Sequence, residues 1–260
     1  VQQRVNLSML RLSNAIETET QLALAGHPGQ IRLLEGYLSW RRCGEGKCMM
    51  TLGVTGSPAQ CRTGLAEMRR VSRRFNGVYT GTALGKKWAE KRFTMPYLRE
   101  ALWQEGYAVD TLETATDWDN VDTLMNAMEQ NLRQGLSVEQ QPVHVFSHLS
   151  HVYSQGCSIY TTYVFPCADS YPATLARWQS LKTSTSALIV GNRGTISHQH
   201  GVGKDHAPWL AREKGPRAMA AITSLCREFD PQGLLNPGTL LMPEPGDTPV
   251  PTPHDQEEHH

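Results

Sequence analysis

The chain has 260 residues, enough for one large or two small domains with a real core, and 39% of them are hydrophobic. With 25 basic and 25 acidic residues the formal charge is +0, which removes the electrostatic case for nucleic acid as a partner. No apolar run approaches the roughly 18 to 20 residues that span a bilayer, and no basic-then-apolar leader opens the sequence. The six cysteines form no ligand-spaced pair, so reduced thiols and a cytoplasmic location are expected.

Val5 to Leu12 alternates like a half-buried strand, with Arg11 near its end. A guanidinium there is either solvated or faces an anion. Gly29 to Arg41 carries Ile31, Leu34, Tyr37 and Leu38 at helical spacing. Lys47 to Val54 reads as a second strand, and Pro58 opens a helix that Asn76-Gly77 stops. Gly81 to Arg92 reads as polar and irregular, and Tyr97 to Gln104 as a short helix carrying Arg99. Tyr107 to Glu113 is a third strand. Thr116-Asp117-Trp118-Asp119 has the character of a capping box launching a helix with Val121, Leu124, Met128 and Leu132 on one face.

Val143 to Tyr153 and Ser158 to Phe165 are β-rich and joined by Ser154-Gln155-Gly156, a hairpin signal. Their polar load, with Ser147, His148, His151 and Tyr160 among apolar residues, predicts that one face lines a pocket. A helix over Ala173 to Val190 follows, then two short helices, and Asn236-Pro237-Gly238 makes a final turn. Met242 to His260 is rich in Pro, Asp and Glu and predicts a disordered tail. Hairpins stand where a doubly wound fold needs crossovers, and no GxGxxG follows a strand. The expectation is an α+β domain over residues 1–241, with a largely antiparallel sheet covered by helices.

Gly191 to Lys204 is the stretch with chemistry: two imidazoles, with carboxamides, hydroxyls and a lysine, set among four glycines. If Thr195 to His200 is extended, His198 and His200 share one face and Ser197 and Gln199 the other. A phosphate-cradling loop is excluded, because His198 and Asp205 stand where glycine and Ser or Thr are required. A metal at His198 and His200 needs further ligands from His148, His151 or His206, and without a cysteine pair no metal is expected. What remains is acid/base and anion chemistry, for which imidazole, with a reference pKa of about 6.5, is suited near neutrality.

Gly156-Cys157-Ser158-Ile159-Tyr160, Gly194 through Lys204, Phe229-Asp230-Pro231 and Asn236-Pro237-Gly238 resemble the C-terminal half of FAD-linked oxidases of the vanillyl-alcohol-oxidase fold group. The nearest branch is that of the alkyldihydroxyacetonephosphate synthases, which make the ether bond of ether lipids. Tyr97 to Glu100, Glu113-Thr114-Ala115 and Trp118-Asp119 extend the likeness, which runs from about Leu7 to Leu241. The resemblance implies a cap or substrate domain over an FAD held by a separate N-terminal domain, which this sequence lacks. It implies Tyr160, His198 and His200 as catalytic residues, Arg11, Arg99 and Gln199 as substrate-binding, and His200 and Asn236 as cofactor-binding.

Gln199 replaces the middle member of a three-histidine run, and a carboxamide orients a substrate oxygen but cannot shuttle protons. The implied reaction exchanges the acyl group of acyl-dihydroxyacetone phosphate for a fatty alcohol, releasing fatty acid without net redox change. Two alternatives stand beside it: an FAD-dependent oxidoreductase of a 2-hydroxy acid or glycerol 3-phosphate, and a binding or assembly module without activity. The substrate is a phosphorylated or carboxylated small molecule in either enzymatic case. The resemblance leaves open a homodimer, peripheral membrane contact through a lipid substrate, and a peroxisomal location in a eukaryote.

Overall fold

The computed structural model describes residues 5–93 and 97–242, so nearly all of the expected tail lies outside the described residues. Five strands form one sheet: β1 (Met9–Ser13), β2 (Met49–Gly53), β3 (Tyr107–Asp117), β4 (His144–Val152) and β5 (Gly156–Pro166). Their order is β2-β1-β4-β5-β3, and every neighbouring pair is antiparallel. The helices are α1 (Ala15–Leu24), α2 (Pro28–Trp40), α3 (Pro58–Arg74), α4 (Ala83–Lys91), α5 (Leu98–Gln104), α6 (Val121–Gln134), α7 (Tyr171–Gly191) and α8 (Gly203–Phe229). This is the expected α+β architecture. None of the described helices is long and apolar enough to cross a membrane.

The alternation along β5 divides the sheet into two environments. Ile159, Tyr163 and Phe165 are buried, while Tyr160, Thr162 and Val164 between them are half-buried. Helices α6 and α7 cover the first face: Leu124, Met128, Leu132, Leu181 and Ile189 are fully buried against Leu112, Val145 and Ile159. Each such side chain contributes about 1.5 to 3 kcal/mol by leaving water. Polar groups on the covered face are satisfied. Asp110 Oδ2 accepts from Tyr163 (3.0 Å), Trp178 Nε1 (2.7 Å) and Lys182 Nζ (2.9 Å). Burial raises the Asp110 carboxyl, but Lys182 and the hydrogen bonds outweigh it and hold it ionised.

Three elements differ from the sequence reading. Helix α1 was not expected, because its docking is polar and leaves little apolar period. The Asn14 side chain caps it by accepting from Glu17 N (2.9 Å) and donates to Glu129 on α6 (2.7 Å). Residues 83–91, expected to be irregular, form α4, a short helix too rich in charge for apolar spacing to reveal. The capping box at Thr116 does not form. Strand β3 stays paired with β5 through Asp117, and a single 3-10 turn, Trp118–Asn120, leads into α6. The two expected short helices are the halves of α8, broken at Gly215 (φ 75°) with Pro216 opening the second.

Helix α1 carries the buried Glu17, whose Oε1 accepts from Arg11 Nη2 (2.5 Å) and lies 3.0 Å from His148 Nδ1. Burial alone raises this carboxyl. The hydrogen bond and charge of His148, with the charge of Arg11, outweigh it and hold the pKa at about 2, below the ordinary 4.5. A depressed folded value means the contribution is complete above about pH 4.5 and is lost as pH falls through about 2. It amounts to something on the order of 3 kcal/mol at neutrality. Urea denaturation followed across this range should show wild-type stability declining with acid. Glu17→Gln should be less stable at pH 7 and lack that part of the decline.

The β3–β5 pairing also rests on one glycine. A Cβ at Gly156 would stand 2.0 Å from the Thr116 carbonyl oxygen. Gly156→Ala should therefore cost about 1 to 3 kcal/mol through forced separation of the strands. Thermal melting checks this, and an unchanged Tm would contradict so close an approach.

Candidate active site

The sheet face turned away from α6 and α7, which α1 reaches through Glu17 at His148, gathers polar side chains in one row. Glu113 on β3 lies opposite Tyr160 on β5, Tyr160 opposite His148 on β4, and His148 opposite Ser13 on β1. Directly opposed residues share a face, so these four stand side by side. A bulge on β4 between Leu149 and Val152 inserts one extra residue. It turns both Ser150 and His151 toward Glu113, at 3.4 and 3.3 Å from its Oε1.

Strand β3 is an edge of the sheet, and the glycine- and histidine-rich stretch covers that edge. Thr195 N donates to Ala115 O and His198 N to Glu113 O, each at 3.0 Å, while Thr114 Oγ1 donates to Thr195 O (2.7 Å). Residues two apart on β3 thus meet residues three apart on the stretch, so it is not the regular strand considered above. Gln199 has a left-handed φ of 51°, and His200 N donates to His198 O (2.7 Å). This tight turn cancels the alternation. His198, Gln199 and His200 all reach one carboxylate: His198 Nδ1 lies 3.1 Å from Glu113 Oε1, with His200 Nε2 and Gln199 Nε2 at 3.1 and 3.2 Å from Oε2. Glu213 on α8 holds the stretch from behind, accepting from Ile196 N (2.7 Å) and Thr195 Oγ1 (3.0 Å).

The Glu113 side chain is 0% exposed, and a carboxylate so placed is tolerable only with such a set of donors. Glu113 was not among the sequence candidates. It ended the expected third strand and fell in the Glu113-Thr114-Ala115 run of the family likeness, with nothing local to mark it as a buried anion. Glu113, His151 and His198 also bring one ligand atom each within 4.8 Å of one another, the place among the described residues where a cation has three ligands in reach. Both oxygens of Glu113 are already used by N–H and O–H donors.

Tyr160 stands between two imidazoles. His148 stacks on its ring (centroids 4.9 Å, 18° between planes), and His200 meets it edge-on (5.7 Å, 85°). Arg11 belongs to the same cluster through His148, with Nη2 3.2 Å from Nδ1, and its charge is shared with Glu17. Arg99 stands elsewhere. It lines a cavity of about 600 Å³ with Tyr97, Trp103, Phe165 and Trp178. Val109, on the same cavity, precedes Glu113 by four residues, about 13 Å of strand. Asn236 occupies an exposed turn after α8 with φ 48°.

A second cavity, of about 290 Å³, opens beside His200 and the first turn of α8, where Thr111, Lys182, Lys204 and His206 line it. Burial, then the charge of Lys182, pushes His206 below its ordinary range, so the nearby cations are the two lysines. The whole arrangement offers proton-transferring rings beside a half-buried phenol, backed by a buried anion. That suits acid/base work on a small polar substrate.

The family model for FAD linked oxidases, C-terminal domain, matches residues 1–240. Alkyldihydroxyacetonephosphate synthase of Dictyostelium discoideum is 28% identical over 255 residues, covering 90% of this chain and 41% of its own length. The synthase of Trypanosoma brucei brucei is 26% identical over 203 residues, covering 78% of this chain and 33% of its own. A solved structure of an alkyldihydroxyacetonephosphate synthase superposes with a TM-score of 0.66 at 21% identity, over 90% of this chain and 40% of the other, a likeness of fold. The chain therefore spans about two fifths or less of the proteins it is compared with. With nearly its whole length inside the family model, the chain belongs to the FAD-linked oxidases as their C-terminal domain.

Proposed function

We propose that this domain supplies the substrate side of a flavin enzyme that exchanges the acyl group of acyl-dihydroxyacetone phosphate for a fatty alcohol, working with an FAD-binding half. The observation that carries the reading is the meeting of Tyr160 on the sheet with His198, Gln199 and His200 of the edge-covering stretch around buried Glu113. The donor set fits the reacting edge of a flavin ring: His200 has a side chain 39% exposed beside a half-buried phenol. Nothing in the sequence resembles a glycine-rich dinucleotide turn after a strand, which leaves the rest of the cofactor to the other half. FAD, when bound, would supply electron-pair storage at the substrate carbon with no net redox change.

The residues of this chain do the remaining work. Tyr160 takes or returns the proton on the substrate carbon, held in place by the stacked His148 and the edge-on His200. His198 and His200, both anchored on Glu113, are the imidazoles that relay protons beside the substrate. Gln199 donates to Glu113 and presents its carbonyl to substrate without taking part in proton transfer. Arg11 adds positive charge to the Tyr160 side. Arg99, with no ion pair among the described residues, has a guanidinium suited to a phosphate bidentately.

The test uses the chain together with its FAD-binding half, anaerobically, with flavin absorbance followed on mixing. Acyl-dihydroxyacetone phosphate should bleach the flavin and release fatty acid, and a fatty alcohol should restore the colour. Bleaching instead by glycerol 3-phosphate or a 2-hydroxy acid, with a keto product, would make the protein an oxidoreductase. Tyr160→Phe should lower turnover by about 10² to 10⁴ with the circular dichroism unchanged. A fully active Tyr160→Phe enzyme would remove that residue from the mechanism.

A further inference from the structure

His198 has a second polar contact that the reading above does not use. Its Nδ1 lies 3.1 Å from Glu113 Oε1, and its Nε2 lies 2.9 Å from the Tyr153 hydroxyl. Carboxylate, imidazole and hydroxyl therefore stand in series. The side chains of Glu113 and His198 are 0% and 15% exposed and Tyr153 is 48% exposed, so the series runs from the interior to the surface. A carboxylate only accepts, so the Nδ1 of His198 carries the proton and its Nε2 lone pair accepts from the Tyr153 O–H. This is the arrangement that readies a hydroxyl for proton exchange: a base in hydrogen-bond reach, fixed in one tautomer by a third group.

The Tyr153 end is held as well as the Glu113 end. Tyr153 N donates to Gly156 O (2.8 Å) at the mouth of the β4–β5 hairpin, and Trp118 Nε1 donates to Ser154 O (3.2 Å) in the same turn. The tyrosine ring meets His198 edge-on, with centroids 5.9 Å apart at 62°. The other ring beside His198 is His151, at 5.1 Å, itself in contact with Glu113.

We propose that Tyr153 is a catalytic residue, the outer member of a Glu113–His198–Tyr153 triad that takes the proton of the fatty alcohol as the alcohol replaces the acyl group. This rests on the ether-forming reading. Over the exchange, the C–O bond to the acyl carboxylate breaks with its electron pair leaving on the carboxylate, and the alcohol oxygen bonds to that carbon in its place as the alcohol O–H bond breaks. The released proton goes to the Tyr153 oxygen while Tyr153's own proton passes to His198 Nε2. Glu113 balances the imidazolium, which then gives its proton to the released fatty-acid carboxylate or to water. One proton leaves with the acid, and no electrons are transferred. The two hydroxyls divide the labour by position: Tyr160, half-buried between two imidazoles, serves the substrate carbon, and the exposed Tyr153 serves the incoming alcohol.

The experiment separates the two half-reactions in the FAD-containing protein for wild type, Tyr153→Phe, His198→Gln and the double variant. Tyr153→Phe keeps the ring and loses only the hydroxyl, and a melting curve verifies its fold. It should release fatty acid at the wild-type rate and add alcohol about 10²-fold more slowly or worse. The double variant should add alcohol no more slowly than His198→Gln alone, since members of one unit are not additive. Nitrogen-15 NMR of His198 gives a readout independent of turnover and should find the proton on Nδ1 and none on Nε2. Alcohol addition at the wild-type rate in Tyr153→Phe, or a neutral His198 protonated on Nε2, overturns this inference alone. A wild-type enzyme that releases no acid overturns the ether-forming reading and this inference with it.

Discussion

A single buried carboxylate organises the chemistry of this domain. Glu113 lies in the strand at the edge of the sheet, out of contact with water, and must find donors for both oxygens. Its partners come from two places: Ser150 and His151 from the bulge on β4, and His198, Gln199 and His200 from the stretch that covers the edge. Apolar contacts through Leu112, Leu149 and the buried Ile196 bring these segments near one another, but they do not aim the polar side chains. The electrostatic demand of one anion does that, and the left-handed turn at Gln199 is its local consequence. A residue at such a φ costs about 1 kcal/mol or somewhat more. Three side chains converging on one carboxylate outweigh that.

The division of the sheet into an apolar face under α6 and α7 and a polar face on the other side is what makes this possible. Along β5, Ile159, Thr161, Tyr163 and Phe165 face α6 and α7, so Tyr160 faces the opposite way by the period of the strand. Pairing to β3 and β4 then fixes its neighbours without further choice: Glu113 on one side and His148 on the other. A one-residue slip of β5 would place Tyr160 in the core and a core side chain beside the histidines. Gly156, where the β3 backbone passes too close for any side chain, holds the register at the start of that strand.

Much of this was legible in the sequence wherever apolar period carried the signal. The pattern of Val121, Leu124, Met128 and Leu132 marked α6, and the hairpin at Ser154 to Gly156 marked the β4–β5 pair. The polar load on those strands pointed to one pocket-lining face; His148 and Tyr160 do share a face, with His151 reaching Glu113 from the bulge, whereas Ser147 is buried on the other face against Thr161 and none of the four lines either cavity. Helix α1 was silent because polar contacts dock it: Asn14 to Glu129, and Glu17 to Arg11 and His148, are partners more than a hundred residues apart or hidden by spacing. Glu113 was silent for the same reason. A lone carboxylate in a strand says nothing until the partners that justify its burial are in place. Period-2 reasoning separated Gln199 from the two histidines, and it failed because the backbone there is turned to meet an anion.

The same constraint bears on Gln199, where the family resemblance implies a third histidine. Glu113 needs an N–H donor at that position, and a carboxamide supplies one at 3.2 Å as an imidazole would. The scaffold is therefore indifferent to the exchange, but the inventory of protons is not. Three imidazoles on one carboxylate, with His151 as a fourth nearby, would compete for a single negative charge, and each proton taken up would oppose the next. With Gln199 between them, His198 and His200 sit on different oxygens of Glu113 and face different phenols, Tyr153 and Tyr160. The carboxamide keeps the anchor and isolates the two rings. His198 then lies 2.9 Å from the Tyr153 hydroxyl and His200 meets the Tyr160 ring edge-on, while both share one buried counter-charge.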